Sequence, residues 1–513
     1  MDEDPAPGSP PPTPAGTESD DSPPAPPHPA PTCPQGDGAA TGGGPGGDGS
    51  HGRRSGGGGS LADRGDGRGR AWFRGRESDR RILALAVPAF GALVAEPLFL
   101  LADSAIVGRL GTVELAGLGV AGAVLSSAAG LFVFLAYGTT SLVARRTGAG
   151  DARGALALGI DALWLAAGIG ALTALAGAVL AGPVVQAFGA EAAVADAAET
   201  YLRVSMLGLP AMLVVMAATG VLRGLQDTRT PLAVAAVGSA VNAGLNLWFV
   251  HGLHLGIGGS ALGTSLTQLG MAAVTVCVVV AGARRLGAPL APHRAGILTS
   301  ARTGVPLLVR TLTLRAVLLV TTAVAAVQGA PALAAHQVTS TVWMLLALAL
   351  DALAIAGQAL TGVALGAGDV TGARAATRRM VQWGVGAGVV LGVVLLLVRG
   401  LLAPLFTEDP QVRSAMAAVL VVAALMQPLA GYVFVLDGVL IGAGDGRYLA
   451  WAGLVQLVAF APVAVAIGWL GPRGTTGLVL LWVAFAGGWM AIRAVLLGTR
   501  AHGDAWAVTG ATR

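Results

Sequence analysis

The sequence predicts an all-α polytopic membrane protein with twelve transmembrane helices in two parallel-repeat bundles of six. Three observations carry this prediction. Of 513 residues, 54% are hydrophobic and only 12% are charged, with a mean hydropathy of +0.70, whereas a soluble domain carries about 25% charge. The apolar residues come in continuous runs of roughly 20 or more, the length at which a helix crosses a ~30 Å hydrocarbon core. Loop motifs then recur at one constant offset of 218 positions. A soluble enzyme and a disordered scaffold are excluded for the main body. An outer-membrane barrel is excluded as well, because the runs are continuous and not alternating.

Residues 1–76 are built from Pro, Gly, Ser, Asp and Ala, as in Pro10-Pro11-Pro12 and Gly56-Gly57-Gly58-Gly59. Such a segment has too little apolar surface to offset its ordering entropy and reads as a disordered cytoplasmic tail. It lacks the charged n-region and short apolar core of a cleaved signal. From Ile82 onward the first six apolar segments centre near Val94, Gly130, Ala167, Leu213, Ala243 and Met271. The second six centre near Val317, Leu348, Leu391, Leu420, Ala459 and Val483. The expected organisation is an N-terminal bundle with linker over 77–300, a C-terminal bundle over 301–498 and a cytoplasmic tail over 499–513.

Orientation follows from arginine, since the chain contains no lysine. Segment 64–81 holds seven arginines, which the alternate loops and the C-terminal tail bring to 22, against five (Arg109, Arg203, Arg399, Arg413, Arg473) on the other side. Positive charge stays on the cytoplasmic side, so both termini are expected there, with the protein in the plasma (inner) membrane. The net charge of +4 is therefore a matter of topology, and no nucleic-acid partner is expected. The two cysteines, Cys33 and Cys277, cannot build a disulfide framework.

The repeat is explicit. Gly148-Ala149-Gly150-Asp151 returns as Gly366-Ala367-Gly368-Asp369, and Gly220-Val221-Leu222-Arg223-Gly224 returns as Gly438-Val439-Leu440-Ile441-Gly442. The same shift superposes Pro88 on Pro306 and Pro210 on Pro428. Six spans per half is an even number, so both halves enter the membrane in the same direction, around an axis along the membrane normal. Two such bundles leave a cleft between them.

At these residues the sequence resembles the multidrug and toxic compound extrusion (MATE) family, in its DinF-like branch. The resemblance covers about residues 80–500. It rests on Glu96-Pro97-Leu98 and Ala102-Asp103-Ser104-Ala105-Ile106-Val107-Gly108 in span 1, and on Leu222 to Pro231 after span 4. It rests further on Leu350-Asp351-Ala352-Leu353-Ala354 in span 8 and on Leu436 to Asp445 after span 10. The resemblance implies a twelve-helix antiporter that expels small organic compounds, often cationic, against an inward proton or sodium gradient; a monomer with no cofactor or bound metal is expected.

Charges inside the bilayer cost roughly 2.5–3.5 kcal/mol on insertion scales and mark candidate functional sites. Asp103 and Glu96 lie seven apart on span 1, on nearly one helix face and about 10 Å apart along the axis. They are the candidate ion-coupling pair, and Asp103 matches the family's span-1 coupling aspartate. Asn242 and Asn246, four apart on span 5, can hydrogen-bond across to span 1. Here the chain departs from the DinF-like pattern, which often has aspartate at the position of Asn246. In the second half, Arg315 on span 7 and Asp351 on span 8 fall at similar depth and are expected to form a structural or gating ion pair. Asp351, and Gln358 seven residues beyond it, are further candidates for substrate or ion binding. Arg310 is expected to snorkel to the interface. Asp437 is expected to pair with arginines, and His251, His254 and His336 to be surface histidines.

The favoured function is a secondary antiporter exporting organic, cationic or amphipathic compounds in exchange for protons or sodium. The alternative, a lipid-linked precursor flippase of the same superfamily, would show a more strongly arginine-lined cleft. No enzyme is expected. Paired aspartates for magnesium and diphosphate and a His-Glu-x-x-His motif do not occur, and a chain without lysine cannot hold a nucleotide-binding P-loop.

Overall fold

The computed structural model describes residues 63–511. Most of the Pro/Gly-rich tail lies outside the described residues, but the backbone is already helical from Asp63, and this helix, Asp63–Val107, runs without a break into span 1, Glu77–Val107. Span 2 is Thr112–Gly148, with a one-residue break at Val133, and span 3 is Ala152–Gln186. Span 4 consists of Ala192–Ser205 and Leu209–Gly224, bent by 53°, and spans 5 and 6 are Arg229–Gly252 and Gly256–Arg285. The second half repeats this with Arg294–Val327, Ala330–Gly366, Val370–Phe406, the pair Pro410–Leu425 and Gln427–Gly442 bent by 52°, Gly446–Leu470 and Thr475–His502, which are spans 7 to 12. Counting each bent pair once, there are twelve spans among the described residues. Span 7 already begins at Arg294 and span 12 ends at His502.

The duplication is visible in local geometry. Asp151 accepts from the Gly154 N–H at 2.8 Å and Asp369 accepts from the Gly372 N–H at 2.7 Å, each capping the helix that follows its loop. The residue before each cap is a glycine in the left-handed region, Gly150 at φ 76° and Gly368 at φ 78°. Both bends fall just before the second piece of the span, where Pro210 and Pro428 occupy the first helical turn. Proline is tolerated there because its missing N–H has no intrahelical partner in that turn.

Within the first half, span 4 packs along spans 2, 3 and 6, and span 5 along span 6. Within the second, span 10 packs along spans 8 and 9, and span 7 along span 11. Span 1 is the exception: among the described residues it makes no extended backbone packing with another span and is tied in by side chains. The halves meet chiefly where span 2 crosses spans 7 and 8 and where span 3 meets span 7. On the arginine-rich side the seam is close. A Cβ at Gly148 would overlap the Val363 carbonyl, and one at Gly366 would overlap the Arg145 carbonyl. Small residues allow that approach between helices in lipid, where apolar burial gives no driving force.

Candidate functional site

Asp103 sits four residues before the end of span 1 and is 2% exposed. Three neutral donors converge on its carboxylate. Tyr201 Oη on span 4 donates to Oδ2 at 2.9 Å, Asn246 Nδ2 on span 5 donates to Oδ1 at 2.8 Å, and Ser260 Oγ on span 6 also donates to Oδ1. The network continues from Asn246 Nδ2 to Asn242 Oδ1 (3.2 Å), and from Asn242 Nδ2 to Thr264 Oγ1 (3.1 Å). Asn246 Oδ1 is buried without a hydrogen-bond partner and lies against Gly263, where a Cβ would overlap it. Three of the four residues expected to converge therefore do so.

Glu96 stands apart. Its side chain is exposed, and no hydrogen bond joins it to Asp103, Asn242 or Asn246. Seven residues return the helix to nearly the same face but raise it by about 10 Å. Sharing a face did not place the two acids at one depth, and Glu96 lies two turns nearer the arginine-rich side.

The expected Arg315–Asp351 ion pair is not formed. Asp351 accepts from Tyr137 Oη of span 2 at 3.2 Å, and Gln358 Nε2 donates to the Tyr137 carbonyl at 2.6 Å. Asp351 and Gln358 thus share one face, as expected, and that face is turned across the seam to the first half. Arg315 is exposed and lies against Gly130 of span 2. The buried arginine of span 7 is Arg310, which does not snorkel but donates to Asp437 with both Nε (3.1 Å) and Nη2. Five residues turn a helix by about 140° net, so Arg310 and Arg315 cannot serve the same neighbour. Arg493 Nη2 approaches Asp437 at 3.7 Å from span 12 and its guanidinium covers the Trp489 ring at 5.0 Å. His336 is not a surface residue. It is 3% exposed, takes the Trp482 Nε1–H on Nδ1 at 3.2 Å and lies 3.2 Å from Thr322 Oγ1.

Sequence reasoning missed Tyr137, Tyr201, Ser260 and Thr264. One signal was available: the chain has only four tyrosines, and two of them hydrogen-bond Asp103 and Asp351. A hydroxyl within an apolar span was the thing to pair with each acid. Ser260 and Thr264 repeat the four-residue spacing of Asn242 and Asn246, which is how two facing helices present polar groups to each other.

A carboxylate held by two hydroxyls and an amide can gain or lose one positive charge with little movement, because hydroxyl rotors reverse between donor and acceptor. Among the described residues, no group of three or more His, Cys, Asp or Glu could hold a metal ion.

The family model MatE matches the chain twice, over residues 88–248 and 306–466, the same separation as the repeated loops. Protein DETOXIFICATION 44, chloroplastic, of Arabidopsis thaliana is 31% identical over 436 residues, covering 82% of each chain. DNA damage-inducible protein F of Escherichia coli (strain K12) is 28% identical over 416 residues, covering 79% of this chain and 88% of that one. In fold, the chain is similar to an outward-facing multidrug resistance MATE family transporter of the MOP superfamily, with a TM-score of 0.75 at 22% identity, over 83% of this chain and 96% of that one. The protein belongs to the MATE family of membrane transporters.

Proposed function

We propose that the protein is a multidrug-type antiporter of the plasma membrane that exports organic, cationic or amphipathic compounds in exchange for protons, with both termini in the cytoplasm. Its two moving halves are spans 1–6 and spans 7–12. The observation that carries this reading is a single buried carboxylate, Asp103, whose three hydrogen-bond partners are all neutral. No arginine neutralises it, so its charge is free to change with the state of the transporter.

In the arrangement described, all three donors point at the carboxylate, which is the ionised form. Protonation adds a donor, so one hydroxyl, Ser260 or Tyr201, must reverse and accept. That change weakens the tie between span 1 and spans 4, 5 and 6. Span 1 has little other packing, so the protonation state of Asp103 sets how firmly span 1 is held. It also removes the negative charge that would attract a cationic compound. Proton entry and substrate departure are thereby linked. A sodium site needs several oxygen ligands around one ion, whereas Asp103 is the one carboxylate in this network, and a single carboxylate takes up a proton without further ligands. Glu96, exposed two turns below, modulates access of protons or substrate, and the Asp351–Tyr137–Gln358 contact couples the two halves.

The test is transport of a fluorescent organic cation by everted membrane vesicles under an imposed pH gradient, with and without sodium. The expected result is transport that follows the pH gradient and is lost in Asp103→Asn. Sodium-driven transport without response to pH refutes the proposal.

A further inference from the structure

On the arginine-rich side, the chain beyond span 12 does not leave the protein but folds back over the seam between the halves. Trp506 is 0% exposed, and its indole N–H donates to the Ala501 carbonyl at 2.9 Å. The Gly510 N–H donates to the Leu365 carbonyl at 3.1 Å, at the end of span 8. Asp504 pairs with Arg374 at the start of span 9, and Arg500 pairs with Asp445 at 2.7 and 3.3 Å. These contacts dock the segment on the second half.

Its tie to the first half is Arg145 of span 2. This guanidinium is 2% exposed. Nη2 donates to the Val508 carbonyl at 2.8 Å and Nη1 to the Ala443 carbonyl, in the loop after span 10, at 3.1 Å. Both carbonyls belong to the second half of the chain. They are backbone groups that a guanidinium can use only while the tail is docked and the seam is shut. Arg145 also stands where spans 2 and 8 approach most closely, beside Gly366. If the halves part on this side, Arg145 must give up Val508 and Ala443 together.

We propose that residues 503–511 form a latch which holds the two halves closed on the arginine-rich side, and that Arg145 is its catch. Opening on that side then requires the tail to leave Arg145. The latch sets how often the transporter opens there, whatever it carries. A second tie acts in parallel: Asp79 at the start of span 1 accepts from Arg379 of span 9 at 2.6 and 2.7 Å and from Trp383 Nε1 at 2.8 Å. It lies partly in solvent and is screened by salt, whereas the Arg145 contacts are buried and are not. The proposal rests on the transporter reading only in that opening on this side is a step of transport.

The test is a distance measurement between spin labels, made without substrate or gradient, so that it stands or falls apart from coupling at Asp103. With Cys33 and Cys277 replaced by serine, labels are placed on Ala149→Cys and Ala367→Cys, equivalent exposed loop positions of the two halves. Trp506→Ala, or ending the chain after His502, is expected to raise the ratio of the long-distance to the short-distance population roughly tenfold, or about 1.4 kcal/mol, while Trp506→Phe stays near the parent. An unchanged ratio in both altered chains, once they are shown to be inserted, overturns the latch. A second label pair, Ala149→Cys with Thr509→Cys, leaves every contact residue intact and needs no destabilising change. In that chain the tail must be displaced in the population with the halves apart. This pair reads the distance of the tail from the first half, so a tail that keeps its docked distance from Ala149 while the halves separate overturns the release, and with it the proposal.

Discussion

Asp437→Asn removes one negative charge from between two buried arginines while keeping the side chain's shape. In the structure Asp437 accepts two hydrogen bonds from Arg310 and lies 3.7 Å from Arg493. The three side chains are 10%, 11% and 6% exposed, in that order, so water cannot stand in for the lost carboxylate. Breaking a buried ion pair by removing one partner costs about 3–5 kcal/mol, and here the change strands two guanidiniums. Arg310→Gln is the informative contrast. It leaves Asp437 beside Arg493, so one charge remains paired, and the loss is that of hydrogen bonds to a charged group, about 1.5–3 kcal/mol. The expected order of stability is wild type, then Arg310→Gln, then Asp437→Asn. Adding Arg310→Met to Asp437→Asn should recover part of the loss, because only one unpaired arginine then remains. The assay is the half-life of folded protein in detergent at fixed temperature, since unfolding of such proteins is governed by a rate. The reasoning is refuted if Asp437→Asn survives as long as Arg310→Gln, or if the added Arg310→Met shortens the half-life further.

Asp103→Asn should abolish pH-driven transport in vesicles while leaving insertion and yield intact; full proton-coupled activity in that variant would remove Asp103 from the mechanism. Asn246→Asp should keep activity and gain sensitivity to sodium, read as a change in transport when sodium replaces choline outside. Gly366→Val should keep the arginine-rich side from closing, because its Cβ meets the Arg145 carbonyl, and loop-to-loop distances between labels at 149 and 367 should lengthen. The Asp369 cap should weaken in acid: hydrogen bonds from the Gly372 N–H and Thr371 hold its carboxyl below the usual carboxylate range. Its contribution is therefore complete above the ordinary aspartate value and is lost as pH falls through the lowered one, which faster amide exchange at Gly372 at low pH would register.

What the sequence by itself determined is everything set by local transfer free energy and by chain-order patterns. The twelve spans follow from runs of apolar residues, each of which must close its own backbone hydrogen bonds in lipid. The two-fold repeat follows from loops such as Gly148–Asp151 and Gly366–Asp369, whose turn conformation and cap are written in four adjacent residues. Asp103 was legible as a candidate because a carboxylate in an apolar run is costly to bury, and Asn246 because four residues return a helix to one face. What only the tertiary structure decided is which groups meet. Depth separates Glu96 from Asp103 although they share a face. Helix rotation gives Asp437 to Arg310 and leaves Arg315 against Gly130, and span 8's position against span 2 gives Asp351 to Tyr137. Trp482 on span 12 buries His336, which the loop-edge position had left on the surface. The tail's place over the seam depends on Arg145, more than 350 residues earlier in the chain. Periodicity fixes which residues share a face of one helix; the rotation, tilt and depth of each helix against its neighbours come from packing that involves the whole bundle at once.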